Sequence, residues 1–256
     1  MNYKRSKYFT TSYKRKIKYL YIKKNSQITV VFFHGFMSDM IGAKPTAIQK
    51  FCGKQKLNFL KFEYSGHGKS TGKFTEGNIS RWTSDAKQLI RSKIKKDKNL
   101  IFISSSMGSW IALNLFTSFN KKIKGFIGIS SAPEFLEELM WKKFSKKVKK
   151  IIMCKKIYHL EHGKFTYPLT KQLIFDGRKN KVLNNKINSK IPIVLFHGTK
   201  DEVVPLKFSR KILKIFKKSK KKLIKIRNGD HSLSRKSDLQ KICKELGYMV
   251  SNVSKT

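Results

Sequence analysis

The stretch Phe102-Ile103-Ser104-Ser105-Ser106-Met107-Gly108-Ser109-Trp110 stands where an apolar run, "NLIFI", stops and a helix-like one, "IALNLF", begins. Its spacing, small-x-Ser-x-Gly, is that of a strand turning sharply into a helix, and it puts Ser106 at the apex. Small residues are required two places before and two places after the apex because strand and helix approach closely there. Gly108 fills the later place, and Ser104 stands in the earlier one, where glycine is usual. Serine is also a good helix cap, so this turn by itself admits two readings: a serine-rich cap or an activated hydroxyl.

Working outward, apolar runs bounded by turn residues recur: "KIKYLYIKK", "QITVVFFHG", "LNFLKFEYSGHG", "KNLIFISSS", "KIKGFIGISSA", "KIPIVLFHGT" and "KKLIKIRNGDHS". Helical patterns separate most of them, in "KPTAIQKFCGKQ", "ISRWTSDAKQLIRSKI", "MGSWIALNLFTSF" and "PLKFSRKILKIFKKS", and "SDLQKICKELGYMVSN" follows the last. Strand alternating with helix predicts an α/β fold: a mostly parallel central sheet of about eight strands with helices on both faces. The first two runs lack an intervening helix and are expected to form an antiparallel edge. From about 133 to 190 no strand is evident, and an insertion of that length over the carboxyl ends of the strands is expected to be a lid within one domain spanning 1–256.

Composition narrows the function classes. The chain has 256 residues, enough for one large domain, and 39% of them are hydrophobic. No apolar run approaches the roughly 18 residues that cross a bilayer. Three distant cysteines, Cys52, Cys154 and Cys243, form no CxxC pair and indicate neither zinc nor a disulfide framework. The basic, acid-free start "MNYKRSKYFTTSYKRK" imitates a transit peptide, but the strand-like "KIKYLYIKK" after it favours a structural N-terminus in a cytoplasmic protein, or one of the mitochondrial matrix in a eukaryote. The net charge of +43, from 58 Lys+Arg against 15 Asp+Glu, is nearly all lysine and is spread along the chain. Lysine lacks the bidentate fork that base and phosphate recognition favour, so codon drift is preferred to a specific nucleic-acid role.

Ligands of open parallel sheets sit at the carboxyl ends of the strands. Three strand ends there carry usable chemistry. "FFHGF" ends in Gly35-Phe36, whose loop frees the Phe36 amide; with the amide of Met107 it would form an oxyanion hole, while His34 is structural. "PIVLFHGTKD" ends in Asp201, and "KLIKIRNGDH" ends in His231. The order Ser106, Asp201, His231 is that of an α/β-hydrolase triad, and Asp230 beside the histidine is poorly placed to orient it. Agreement of three strand ends favours the elbow over the helix cap. "GHGKST" lacks the gap of a P-loop and reads as a loop lining the cleft, and His159 with His162 lacks a third metal ligand. No metal or organic cofactor is called for.

The segments "FFHGFMSDMIGAKP", "FEYSGHGKSTGKFTEGNISRW", "SSSMGSW", "SAPEFLEELMW", "FDGR" and "HGTKDEVVP…NGDHSLSR" together resemble the group of abhydrolase-domain-containing protein ten and its bacterial relatives. The resemblance runs collinearly from about Val30 to Leu239. It implies the α/β-hydrolase fold and assigns the family's catalytic serine, aspartate and histidine to Ser106, Asp201 and His231. Ser104, and Ser109 after Gly108, depart from glycines common in the family. Animal members of the group are palmitoyl-protein thioesterases, also described as hydrolysing acyl glucuronides. An acyl ester or thioester, on a small molecule or an acylated protein, is therefore the expected substrate. Phe135, Leu136, Leu139, Met140 and Trp141 of the insertion are candidates to line an acyl groove, or else simply pack the lid on the core. A peptidase of the same fold and a non-catalytic basic binding protein are the alternatives. Oligomeric state is not legible.

Overall fold

The computed structural model of the chain describes residues 6–94, 98–162 and 165–253. Ten strands form in chain order: β1 (Lys7–Thr10), β2 (Lys16–Ile22), β3 (Ile28–Phe33), β4 (Asn58–Phe62), β5 (Asn99–Ser105), β6 (Ile123–Ile129), β7 (Ile157–His162), β8 (Phe165–Thr170), β9 (Ile193–Gly198) and β10 (Lys221–Ile226). Eight of them make one sheet in the order β1-β2-β4-β3-β5-β6-β9-β10, parallel from β4 to β10. The helices are α1 (Ala43–Lys54), α2 (Ile79–Lys93), α3 (Met107–Asn114), α4 (Phe116–Phe119), α5 (Lys146–Lys155), α6 (Lys171–Lys179), α7 (Lys207–Ile215) and α8 (Lys236–Val253).

The apolar runs explain the centre. β3 and β4 are buried at every position, as strands covered on both faces must be. Along β3, Val31 and Phe33 enter a core with Trp82 of α2, Ile111 of α3 and Phe208 of α7, whereas Val30 and Phe32 enter a second with Ile48 of α1 and Ile242 and Leu246 of α8. The sheet is thus sandwiched between two helical layers.

Two expectations are corrected. The antiparallel edge exists, but "KIKYLYI" does not pair with "ITVVFF": β2 pairs with β4 on one side and with β1 on the other. Both edges of β3 are taken by the parallel neighbours β4 and β5, so β2 is displaced outward. The insertion also contains a hairpin, β7–β8, where no strand was expected. Its alternation is short and interrupted by Pro168, which a two-stranded ribbon tolerates because one edge of each strand needs no partner.

The same insertion holds a single π-helical turn, Leu136–Met140, then α5 and α6. The "FDGR" segment fastens it to α2. Asp176 accepts from the amide of Ser80 at 2.8 Å and from its hydroxyl at 2.6 Å. Arg178 donates to Glu137 at 2.8 Å, and a Cβ on Gly177 would lie 3.0 Å from the Trp110 ring. Glu134 accepts from the amides of Val182 and Leu183 at 2.8 and 2.7 Å, closing the other end.

Candidate active site

Ser106 sits between β5 and α3 with φ 51° and ψ −120°, a conformation that L side chains seldom adopt. Its amide donates to Ile129 at 2.9 Å and its carbonyl accepts from Ala132 at 3.2 Å, so the end of β6 pins the turn. Gly108 is obligatory: a Cβ there would fall 2.4 Å from the Phe33 carbonyl oxygen and 2.5 Å from that of His34. Gly35 brings the loop after β3 against the same turn, since its Cβ would lie 3.4 Å from that of Ser106. Ser104 and Ser109 are fully buried and satisfy each other at 2.8 Å, and Ser109 donates onward to Ser131 at 2.7 Å.

His231 Nε2 lies 3.1 Å from Ser106 Oγ, and Nδ1 lies 2.9 and 3.1 Å from the two carboxylate oxygens of Asp201. An ionised carboxylate only accepts, so Nδ1 carries the proton and Nε2 is free to accept from the serine hydroxyl. The Asp201 side chain is wholly buried, and burial pushes its carboxyl up. The hydrogen bond and charge of His231, with the Val204 amide, outweigh that and hold it below the ordinary value. Asp201 Oδ1 also accepts from the amides of Val203 and Val204 at 3.0 and 2.8 Å. Asp230 instead caps its own turn, accepting from Leu233 N at 2.9 Å. Among the described residues, neither the Phe36 nor the Met107 amide donates to another protein group.

A cavity of about 710 Å³ opens at Ser106 and His231, within the ~300–1,000 Å³ usual for small-molecule sites. Its walls are mainly apolar, with Phe36 at the centre of an aromatic cluster. The Phe36 ring lies 5.1 Å from Phe74, 5.2 Å from Phe135 and 5.9 Å from Tyr167, the last stacked.

Family comparison fits this geometry. A model described as "Serine aminopeptidase, S33" matches residues 24–162, more than half the chain, and one described as "Phospholipase/Carboxylesterase" matches 175–250. The chain belongs to the α/β-hydrolases. This hydrolase is 26% identical over 230 residues, 88% of its own length and 74% of the other, to the human palmitoyl-protein thioesterase ABHD10, a mitochondrial protein. It superposes on the mouse alpha/beta hydrolase domain-containing protein 10 with a TM-score of 0.87, at 24% identity over 97% and 99% of the two chains. A protein from Agrobacterium vitis S4 matches at TM-score 0.90 and 26% identity over 96% and 98%. Among the described residues, no helix of the hydrolase is long and apolar enough to cross a membrane.

Of the five insertion residues expected along the groove, Phe135, Leu139 and Met140 line the cavity. Leu136 and Trp141 do not. The wide π turn breaks the helical register: Leu136 points inward at Gly177, and Trp141 lies under the guanidinium of Arg178 at 4.8 Å and beside Lys149. The hairpin supplies lining in their stead, through Leu160, Phe165 and Tyr167. "GHGKST" does not line the cavity either. It wraps the buried Glu63, whose carboxylate accepts from Lys69 N at 2.7 Å and would lie 2.4 Å from a Cβ on Gly68. His67 of that loop is buried behind the cavity against His34 and Trp82.

Two residues escaped the sequence reading of the hydrolase. His197, in the Phe-His-Gly that ends β9, is buried behind Asp201 with Nε2 2.9 Å from the Val204 carbonyl and Nδ1 2.9 Å from Ser209 Oγ. The same tripeptide ends β3, which was the available signal. Lys44, at the start of α1, reaches across the cavity mouth to Ser232 and Ser234; nothing local marks it. His159 is exposed on β7, and the side chain of His162 is outside the described residues.

Proposed function

We propose that this hydrolase cleaves acyl thioesters or carboxylic esters through a covalent acyl-serine. Ser106 Oγ attacks the acyl carbon while its proton passes to His231 Nε2. The carbonyl oxygen becomes an oxyanion held by the amides of Phe36 and Met107, a contribution of about 10²–10³ in rate per donor in comparable sites. The intermediate collapses, the carbon–sulfur or carbon–oxygen bond breaks, and the leaving group takes the proton from His231. Water then attacks the acyl-serine, giving its proton to Nε2, and the second collapse frees the acid and returns the proton to Ser106. Asp201 fixes the tautomer and stabilises the imidazolium. The segment 133–190 serves as lid and chain-binding wall.

The observation that carries this reading is the unbroken line from Ser106 Oγ through His231 to a buried, doubly amide-bonded Asp201. The apolar cavity and the ABHD10 relatives, named as palmitoyl-protein thioesterases, favour a long acyl chain as substrate. A fluorophosphonate probe is expected to label the native protein and not Ser106→Ala. Native protein should turn over long-chain acyl thioesters in preference to short ones and leave aminoacyl amides intact. Labelling that survives Ser106→Ala removes the nucleophile from the scheme, and preferential amide cleavage replaces the esterase with a peptidase.

A further inference from the structure

We infer that the mouth of the cavity is a docking surface for an anionic lipid bilayer, so that an acyl chain could pass from membrane to Ser106 without crossing water. Large apolar side chains on a folded surface are ordinarily scattered. Here four gather at one opening. Met37 (43% exposed), Phe165 (65%) and Val203 (48%) line the cavity and also face solvent, and Ile41 (58%) projects from the same loop, between the lining residues Asp39 and Gly42. They come from three places in the chain: the loop after β3, the lid hairpin and the turn after Asp201. Inward they run on into the apolar wall of Phe36, Phe135 and Tyr167, so one apolar surface extends from the exterior to the nucleophile's side of the cavity.

Charge selects the partner. The two carboxylates at the opening are Asp39, whose Oδ1 accepts from Ile41 N at 2.7 Å, and Glu202; Lys44 and Lys143 offset them there. Beyond the opening the balance is basic. Lys146 and Lys147 are exposed on the lid segment next to Lys143, Lys142 there pairs with Glu138 at 2.5 Å, and Lys207 and Lys211 of α7 are exposed near that pair. A cationic flank beside an apolar patch fits anionic headgroups over acyl chains, each basic residue near such a surface adding about 1 kcal/mol. A chain carrying +43 is drawn to that surface before the apolar rim engages it.

The test is flotation with vesicles of phosphatidylcholine containing phosphatidylglycerol, in buffer and at about 0.5 M salt, where the Debye length is a few ångströms and long-range attraction is screened. The Ser106→Ala protein is used alongside the native one, so that the outcome does not depend on turnover or on the hydrolytic mechanism. Both should float with the anionic vesicles and retain part of that binding in high salt. The charge-neutral triple variant Met37→Ser, Ile41→Ser, Phe165→Ser should lose about tenfold or more in affinity and all of the salt-resistant fraction. Tyr248→Ser, which removes an exposed aromatic from α8, should bind as native. Ile41 does not line the cavity, so Ile41→Ser alone keeps the test intact if the triple variant does not fold. Equal binding by native and rim variants would mean adsorption by charge alone and would overturn the inference, as would the absence of binding or equal flotation with pure phosphatidylcholine.

Discussion

Lys44 donates from Nζ to the carbonyl of Ser232, the residue after His231, and lies 3.4 Å from Ser234 Oγ. It thereby ties the loop that carries the Phe36 amide to the loop that carries the imidazole. Burial lowers its pKa, and Asp230 opposes that shift, so the ammonium is held by its partners rather than by water.

Lys44 is accordingly expected to act as a positioning residue. Lys44→Met should leave KM for a short thioester nearly unchanged and lower kcat by about tenfold or more, since misplacement of a reacting group by ~1 Å can cost ~10². Lys44→Arg, which retains a donor, should recover part of the loss. Unaltered kcat in Lys44→Met would show that His231 is held without the clamp.

The buried serines around the Ser106 turn should behave as a unit. Ser104, Ser109 and Ser131 are each fully buried, and Ser109 joins the other two. Ser109→Ala strands two hydroxyls, one of which keeps only the Ile127 carbonyl at 3.3 Å. A loss of about 1–3 kcal/mol is expected in urea unfolding. Ser104→Ala with Ser109→Ala should cost less than the sum of the single changes, because it removes the orphan it would otherwise leave. Strict additivity would refute the network.

Much of this arrangement was readable beforehand, for a physical reason. β3, β5, β6 and β9 are covered on both faces, so each is an apolar run ended by turn residues. The groups of the candidate site then follow the run's end, as Phe36, Ser106 and Asp201 do. What escaped depends on distant partners or on altered register. β2 pairs with β4 rather than β3 because β3 has no free edge. Leu136 and Trp141 leave the cavity because a π turn has five-residue closure. Lys44 is unmarked because its partners lie 188 and 190 positions away. The hairpin β7–β8 was hidden by a proline and by its exposed outer face.

Acid should weaken the fold through the histidines behind the cavity. Burial lowers the pKa of His34 to about 4, against a hydrogen bond to Gly35. Burial, then the neighbouring His34, lowers that of His67 to about 3. Both are neutral in the folded state and gain protons more readily when unfolded. Their stabilisation is therefore complete above the unfolded value of ~6.5 and declines as pH falls toward the folded values, by about 3 kcal/mol at pH 4 for His34 alone. His67 Nε2 has no partner among the described residues, and its ring packs against Phe74 and Trp82. His67→Phe should consequently keep Tm near native at pH 7.5 and flatten its fall toward pH 4.5. Parallel curves for the two proteins would exclude His67 as a source of acid sensitivity.

Asp201→Asn isolates the tautomer from the scaffold. The carboxylate has two duties: Oδ1 accepts from the Val203 and Val204 amides, and both oxygens face His231 Nδ1. An asparagine can keep the first by presenting its carbonyl to those amides, which leaves Nδ2 facing the ring. Two donors cannot share that contact, so the imidazole must carry its proton on Nε2, where it opposes the Ser106 hydroxyl instead of accepting from it. Folding should suffer little, with Tm within a few degrees of native. Turnover should fall by about 10⁴, the size of the effect where the same exchange has been made in a serine–histidine–aspartate triad, and fluorophosphonate labelling should slow in proportion. Near-native turnover in Asp201→Asn would mean that His231 receives its proton by another route and that the carboxylate is only a brace for the turn after β9.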